Sequence, residues 1–345
     1  MSRRIPSTSD CVPPRIAPPR EVSPRPFWSV MIPTYNRTRY LEKTLRSVLE
    51  QDPGPREMQI EVVDDASTDG DAEAMVRRIA AGRVVFFRQA HNLGIIANWN
   101  SCVERSVGRW VHILHNDDVV FPGFYERLRN GLIDRDDVGA AFCRHVLIDE
   151  NDSWLGISEL ERSTPGILQD FIEKIGVSVR VQCPAITVRR TVYEKLGGFR
   201  GDLPYAGDWE MWKRIAVSYP FWYEPTILAA FRVHSRSYTQ VLIRSGETIA
   251  DVGRCIAISH PLLPPDRAED ISRQAREVLA ARALEDALVC ARRLALASAV
   301  QHLWQGLRYS GSLSLIKAFL LLPARIAWRA VRQVYAAAKR LFAGD

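Results

Sequence analysis

Five aspartates occupy positions where carboxylates could work together: Asp64 and Asp65 in "VVDDASTDG" (62–70), Asp117 and Asp118 in "HILHNDDVVFPG" (112–123), and Asp208 in "GDWEMWKR" (207–214). The first two pairs end apolar runs of strand type. Adjacent carboxylates repel, so an isolated pair of this kind is a solvated turn or a helix cap. A hard divalent cation on a phosphate substrate changes that balance. It needs only one or two protein carboxylates, because the phosphates and water supply the remaining oxygens. One strand-end acid would then hold metal, another would bind substrate, and a third would take a proton. Asp208 opens a run of helical type, and a helix N-terminus favours the ionised carboxylate. Its basicity is therefore expected to stay ordinary. A zinc site from His112, His115 and Asp117 is disfavoured, because His112 and His115 on one strand point to opposite faces. His112 reads as a structural residue. No GxGxxG, GxxxxGK[ST] or HExxH occurs, which argues against dinucleotide enzymes and P-loop ATPases.

The elements that must position these acids alternate. Strand-like runs at 28–35, 59–67, 84–89 and 109–114 are each followed by a helical run, at 39–51, 71–80, 95–106 and 124–133. Strict alternation implies a mostly parallel sheet with helices on both faces, and such sheets bind ligands at the carboxyl ends of their strands. Both Asp pairs fall there. Further strands are predicted at 140–148, 183–190 and 227–234, with a helix at 208–217, and the chain reads as helical beyond about 245.

Composition is that of a globular protein, 47% hydrophobic and 25% charged, with a net charge of +6. The basic excess lies at the ends. Residues 1–26 carry five arginines against two acids, and residues 311–345 carry six Lys and Arg against one Asp. The middle is slightly acidic, which argues against a nucleic-acid groove. Seven prolines among residues 1–26 suggest a disordered leader without a core. Six scattered cysteines without a CxxC pair suit reduced thiols. The start of the chain shows no signal peptide. The stretch "SLIKAFLLLPARIAWRAVRQVYAAAKRLF" (314–342) mixes apolar and basic residues with no acid, as a helix lying on an anionic membrane would.

Seven motifs in order, "VMIPTYNR" (30–37), "VVDDASTDG", "NLGIIANWN" (92–100), "GRWVHILHNDD" (108–118), "GGF" (197–199), "GDWEMWKR" and "FRVH" (231–234), resemble those of family 2 glycosyltransferases. The resemblance covers roughly residues 27–240. It implies an α/β Rossmann-like GT-A domain over 27–240, preceded by the leader (1–26) and followed by a helical extension with the basic tail (241–345). It also implies inverting transfer of a sugar from a nucleotide-diphosphosugar to an acceptor hydroxyl, in polysaccharide or glycolipid assembly.

Carried over by position, the resemblance implies a nucleotide-sugar site of Pro33, Tyr35, Asp64, Asp65, Asn100, Asn116 and Asp117. Tyr35 and Asp65 would hold base and ribose. Asp117 matches the last acid of a DxD element for Mg²⁺ or Mn²⁺, with His234 as a second metal ligand. Asp208 matches the general base, and Glu210 is the next candidate. His115 departs from the pattern where an Asp is usual, as does Gly207 where Glu is common. UDP is the commonest donor nucleotide in the family. A glycan or lipid-linked acceptor is expected, in the cytoplasm or at the inner face of the membrane through the tail. Trp99 and Trp209 are candidates to stack on sugar, whereas Trp212 reads as core. Two rivals share the fold. A sugar-phosphate nucleotidyltransferase would carry a Gly-bearing loop after the first strand, which "IPTYNRTRY" lacks. A non-catalytic scaffold on a degenerate transferase domain is the other.

Overall fold

A computed structural model describes residues 12–19, 23–36, 38–235, 237–245, 247–292, 295–309 and 317. The first half alternates as expected: β1 (Trp28–Thr34), α1 (Thr38–Leu49), β2 (Met58–Asp64), α2 (Ala72–Ala80), β3 (Val85–Arg88), α3 (Ile95–Arg105), β4 (Trp110–Ile113). Then follow β5 (Val119–Val120), α4 (Phe124–Leu132), β6 (Ala140–Ile148), β7 (Trp154–Ile157), β8 (Gly166–Leu168), α5 (Phe171–Ile175), β9 (Ile186–Arg189), α6 (Arg190–Leu196), α7 (Gly207–Ser218) and β10 (Phe221–Arg232). Four helices close the described chain: α8 (Tyr238–Ser245), α9 (Glu247–Ser259), α10 (Ala268–Arg292) and α11 (Leu296–Tyr309).

One sheet runs in the order β3-β2-β1-β4-β9-β6-β10-β5. Strands β3, β2, β1 and β4 are parallel. Every residue of β1 is buried, as suits a strand covered by helices on both faces. The second half is mixed, which the alternation did not foretell. β9 enters antiparallel to both β4 and β6, while β6 and β10 pair in parallel. The last strand also starts earlier than expected, at Phe221 rather than 227. Glu224-Pro225 looks like a stop in sequence, but the ladder absorbs it as register shifts between Glu224, Ile227 and Ala229. β7 and β8 lie off the main path, each antiparallel to one neighbour.

Two expectations about the ends are corrected. Residues 12–19 are not a coreless leader. Ile16 is buried in the main core, Gly198 N donates to Pro14 O at 2.8 Å, and Arg190 Nη2 donates to Ala17 O at 3.0 Å. One isoleucine among the prolines suffices to seat the segment. The division at residue 240 falls inside α8, and α9 and α10 share the core of the sheet domain through Ile249, Cys255, Ile256, Ala275, Leu279 and Ala283. The basic tail lies outside the described residues except for residue 317. Among the described residues no helix is long and apolar enough to cross a membrane. Cys102, Cys143, Cys183 and Cys255 are buried thiols.

Candidate active site

Beyond β4 the chain turns through His115, Asn116, Asp117 and Asp118 before β5. Asp118 N donates to His115 O at 3.1 Å, closing the turn. Repulsion between the two carboxylates is offset by cations and donors from the end of β10. Asp118 Oδ1 accepts from Arg232 N at 2.8 Å. The buried Arg232 guanidinium donates to Asp117 O at 2.8 Å and Asp149 O at 2.8 Å, and pairs with Asp152 at 2.7 Å. Thr44 Oγ1, from α1, donates to Asp118 O at 2.7 Å. The turn is thus held from three sides, with its carboxylates buried yet partnered.

His115, Asp117 and Asp118 bring one ligand atom each to within 4.8 Å of one another. Two carboxylates and an imidazole at that spacing fit a divalent cation. The nitrogen donor favours Mn²⁺ over Mg²⁺, which prefers oxygen alone. His115, which departs from the family pattern in sequence, therefore belongs to the group. Its ring stacks on Trp99, with centroids 5.0 Å apart and planes 17° from parallel. His234 does not belong to it. Its Nε2 lies 3.0 Å from Asp117 Oδ2, a carboxylate of that group. His112 is a core residue, between Tyr125 Oη and the carbonyl of Pro184 at 3.1 Å each, and burial drops its pKa to about 3.

Asp208 sits in the first turn of α7, one residue inside the helix rather than at its cap, which is Ala206. Its Oδ1 accepts from Trp209 N at 2.7 Å, and Cys183 Sγ is 3.9 Å from its Oδ2. Burial raises its pKa from 3.8 to about 6 against these donors. The expectation of ordinary basicity is overturned, because desolvation outweighs the helix terminus. The turn before Asp208 is fixed from α9, where buried Asp251 accepts from Tyr205 N and Ala206 N at 2.8 Å each. Glu210 is no alternative base. Both its oxygens are taken by Arg214, at 3.0 and 2.8 Å, in a buried pair.

A cavity of about 440 Å³ joins these parts: His115, Asp117 and Asp208 all line it, with Trp99 and Trp209. Trp212 instead packs in the core against Phe199. Pro33, Tyr35, Asp64, Asp65, Asn100, Asn116 and His234 lie off the cavity lining. Pro33 is a buried β1 residue beside Val63 of β2, and Asn116 is buried in the turn. Tyr35 is exposed just past β1. Asp65 accepts from Leu93 N at 2.7 Å and Gly94 N at 3.0 Å, and burial raises its pKa. Asp64 accepts from Ser67 N at 3.1 Å and from the Ser67 hydroxyl, and pairs with Arg88 at 3.1 Å. These bonds make Asp64 part of the loop that follows β2. Asn100 lies on α3. Its amide donates to Phe199 O at 2.9 Å and accepts from Phe199 N at 2.7 Å, so both ends clamp the "GGF" loop. Any side chain at Gly198 would strike Asn100, since a Cβ there would lie 2.3 Å from its Oδ1.

Sequence reasoning missed Arg232, Cys183 and Asp251, and it singled out Asp118 without giving it a role. Arg232 lies inside the quoted "FRVH", where a basic residue at a strand end facing an Asp pair is a usable signal. Asp251 carries none, being one acid on a helix far along the chain.

Comparison with known proteins decides the family. The description "Glycosyl transferase family 2" matches residues 29–197. Residues 29–197 of the chain form a domain of this family. An uncharacterized protein of Mycobacterium tuberculosis is 27% identical over 70% of the chain and 78% of its own length. An uncharacterized glycosyltransferase of Rickettsia prowazekii is 24% identical over 66% of the chain and 70% of its own length. Among solved structures, S. aureus TarS 1-349 overlays with a TM-score of 0.61 at 14% identity, covering 87% of the chain and 82% of its own. The mannosyltransferase PcManGT from Pyrobaculum calidifontis, in complex with GDP-Man and Mn²⁺, overlays with a TM-score of 0.55 at 23% identity, covering 96% and 91%. The fold of this glycosyltransferase is the GT-A type, with C-terminal helices added.

Proposed function

We propose that this glycosyltransferase inverts the anomeric carbon of a nucleotide-diphosphosugar in a single displacement, with Asp208 as base and a divalent cation held by Asp117, His115 and Asp118. The observation that carries the reading is the shared cavity, in which a carboxylate with a pKa of about 6 accompanies His115 and Asp117, two of three clustered metal-type ligands. Asp208 takes the proton of the acceptor hydroxyl as that oxygen bonds to the anomeric carbon and the bond to the diphosphate breaks. A pKa near 6 leaves it ionised at neutral pH yet more basic than an ordinary Asp. A bound divalent cation would neutralise charge on the departing diphosphate. His234 holds the Asp117 carboxylate in place for that task, and Arg232 holds the Asp117 main-chain carbonyl.

Mn²⁺ is the preferred ion on the donor set, and a UDP- or GDP-sugar the donor class. GDP-Man in PcManGT, and UDP and UDP-GlcNAc in TarS, support that range. Tyr35 and Asp65 would flank the nucleotide at the ends of β1 and β2. A surface polysaccharide or glycolipid is the product class, made at the cytoplasmic face of a membrane. Thermal-shift screening of UDP-, GDP- and dTDP-sugars with Mn²⁺ or Mg²⁺ tests the reading. One donor should raise the melting temperature only with metal present and slowly release nucleoside diphosphate. Stabilisation by none of them would count against it.

A further inference from the structure

Polar and apolar side chains both line the cavity. His115, Asp117 and Asp208 do so, and so do Val177, Val179, Val252, Ala275, Val278 and Leu279. Val252 belongs to α9, and Ala275, Val278 and Leu279 to α10, beyond the residues matched by the family description. Val179 and Val278 are each 45% exposed. Half-open apolar side chains beside a cavity present apolar surface that a ligand could cover. At about 440 Å³ the space is also far beyond a packing defect, since an ordered water takes about 30 Å³.

A nucleotide-diphosphosugar does not suit these walls, because its phosphates, ribose and sugar all need polar partners. The occupant must be the other substrate. It must show a hydroxyl to Asp208 and an apolar body to α9 and α10. We propose that α9 and α10 form an acceptor subsite for a hydroxyl compound bearing an aliphatic chain, and that this wall selects such acceptors over free sugars. The inference rests on the transferase reading above. The ion pair of Arg282 with Asp286, 3.2 Å apart, also borders the cavity and supplies polar contacts on α10 beside the apolar stretch.

The test uses alkyl glycosides on the full chain. Octyl β-D-glucopyranoside, kept below its micellar concentration, and methyl β-D-glucopyranoside share a sugar and differ only in the chain. Titration calorimetry should show the octyl compound binding at least about tenfold tighter, because its extra methylenes are buried. Val278→Glu places a charge on the wall at a half-exposed helical position, and Val278→Phe fills the space without charge. Both should abolish the preference for the octyl compound, with melting temperature confirming that each is folded. Equal binding of the two glycosides, binding of neither, or a preference that survives in both folded variants would overturn the inference. Metal-dependent nucleotide binding, measured on the same wild-type sample, reports separately on the transferase reading. Its presence alongside a failed chain preference would remove the subsite and leave the transferase.

Discussion

Asp208→Asn should make the protein more stable and nearly inactive at the same time. The Asp208 carboxyl has a pKa of about 6 where 3.8 is ordinary, so the fold favours its protonated form. A group whose folded pKa is raised contributes stability that is complete below pH 3.8 and lost as pH rises through about 6. At about 1.4 kcal/mol per pH unit, the cost of ionising it in the folded state reaches about 3 kcal/mol above pH 7. Asn does not ionise. It keeps the shape, its Oδ1 can still accept from Trp209 N, and its amide can face Cys183 Sγ. Urea unfolding at pH 8 should therefore show the variant more stable by up to about 3 kcal/mol, with the gain shrinking to about half at pH 5 and to about 0.5 kcal/mol at pH 4. Sugar transfer at saturating donor should fall by about 10²–10⁴-fold. The wild-type rate should drop tenfold per pH unit below about pH 6, and that acid limb should be absent from any residual activity of the variant. Equal or lower stability of the variant at pH 8 would refute the burial argument. Turnover above about a tenth of wild type would refute the base assignment.

Two further outcomes follow from the groups that hold the site. Arg232→Met removes the donor shared by Asp117 O and Asp149 O, so the Mn²⁺ concentration for half-maximal activity should rise by about tenfold or more, with Arg232→Lys restoring part of it; an unchanged metal requirement in a folded variant would argue that the turn holds itself. Asp251→Ala strands the buried N–H groups of Tyr205 and Ala206 and should cost about 2–3 kcal/mol in urea unfolding, a loss that a merely exposed acid would not produce.

What the sequence made legible depended on how local the physics was. Asp117 and Asp208 stand at element ends marked by periodicity and by motif, and they share the cavity. Asp64 and Asn100 sit in equally clear motifs, but their partners are the hydroxyl of Ser67 and the backbone of Phe199, and residue type alone does not separate a loop clamp from a ligand contact. The pKa of Asp208 was misjudged for a related reason. The helix terminus is visible in sequence, whereas the burial that outweighs it is tertiary and has no local signal. The parallel half of the sheet follows from alternation, but the entry of β9 between β4 and β6 is a long-range pairing without a local signal.

The central claim is that Asp117 holds a cation on the diphosphate within a transferase cavity. Titration calorimetry of UDP and GDP against wild type and Asp117→Ala, each with and without Mn²⁺, tests it most directly. One nucleotide should bind wild type only when Mn²⁺ is present, and that binding should vanish in the variant while its melting curve stays cooperative. Equal affinity of that nucleotide for wild type and variant, or binding indifferent to Mn²⁺, would contradict the account.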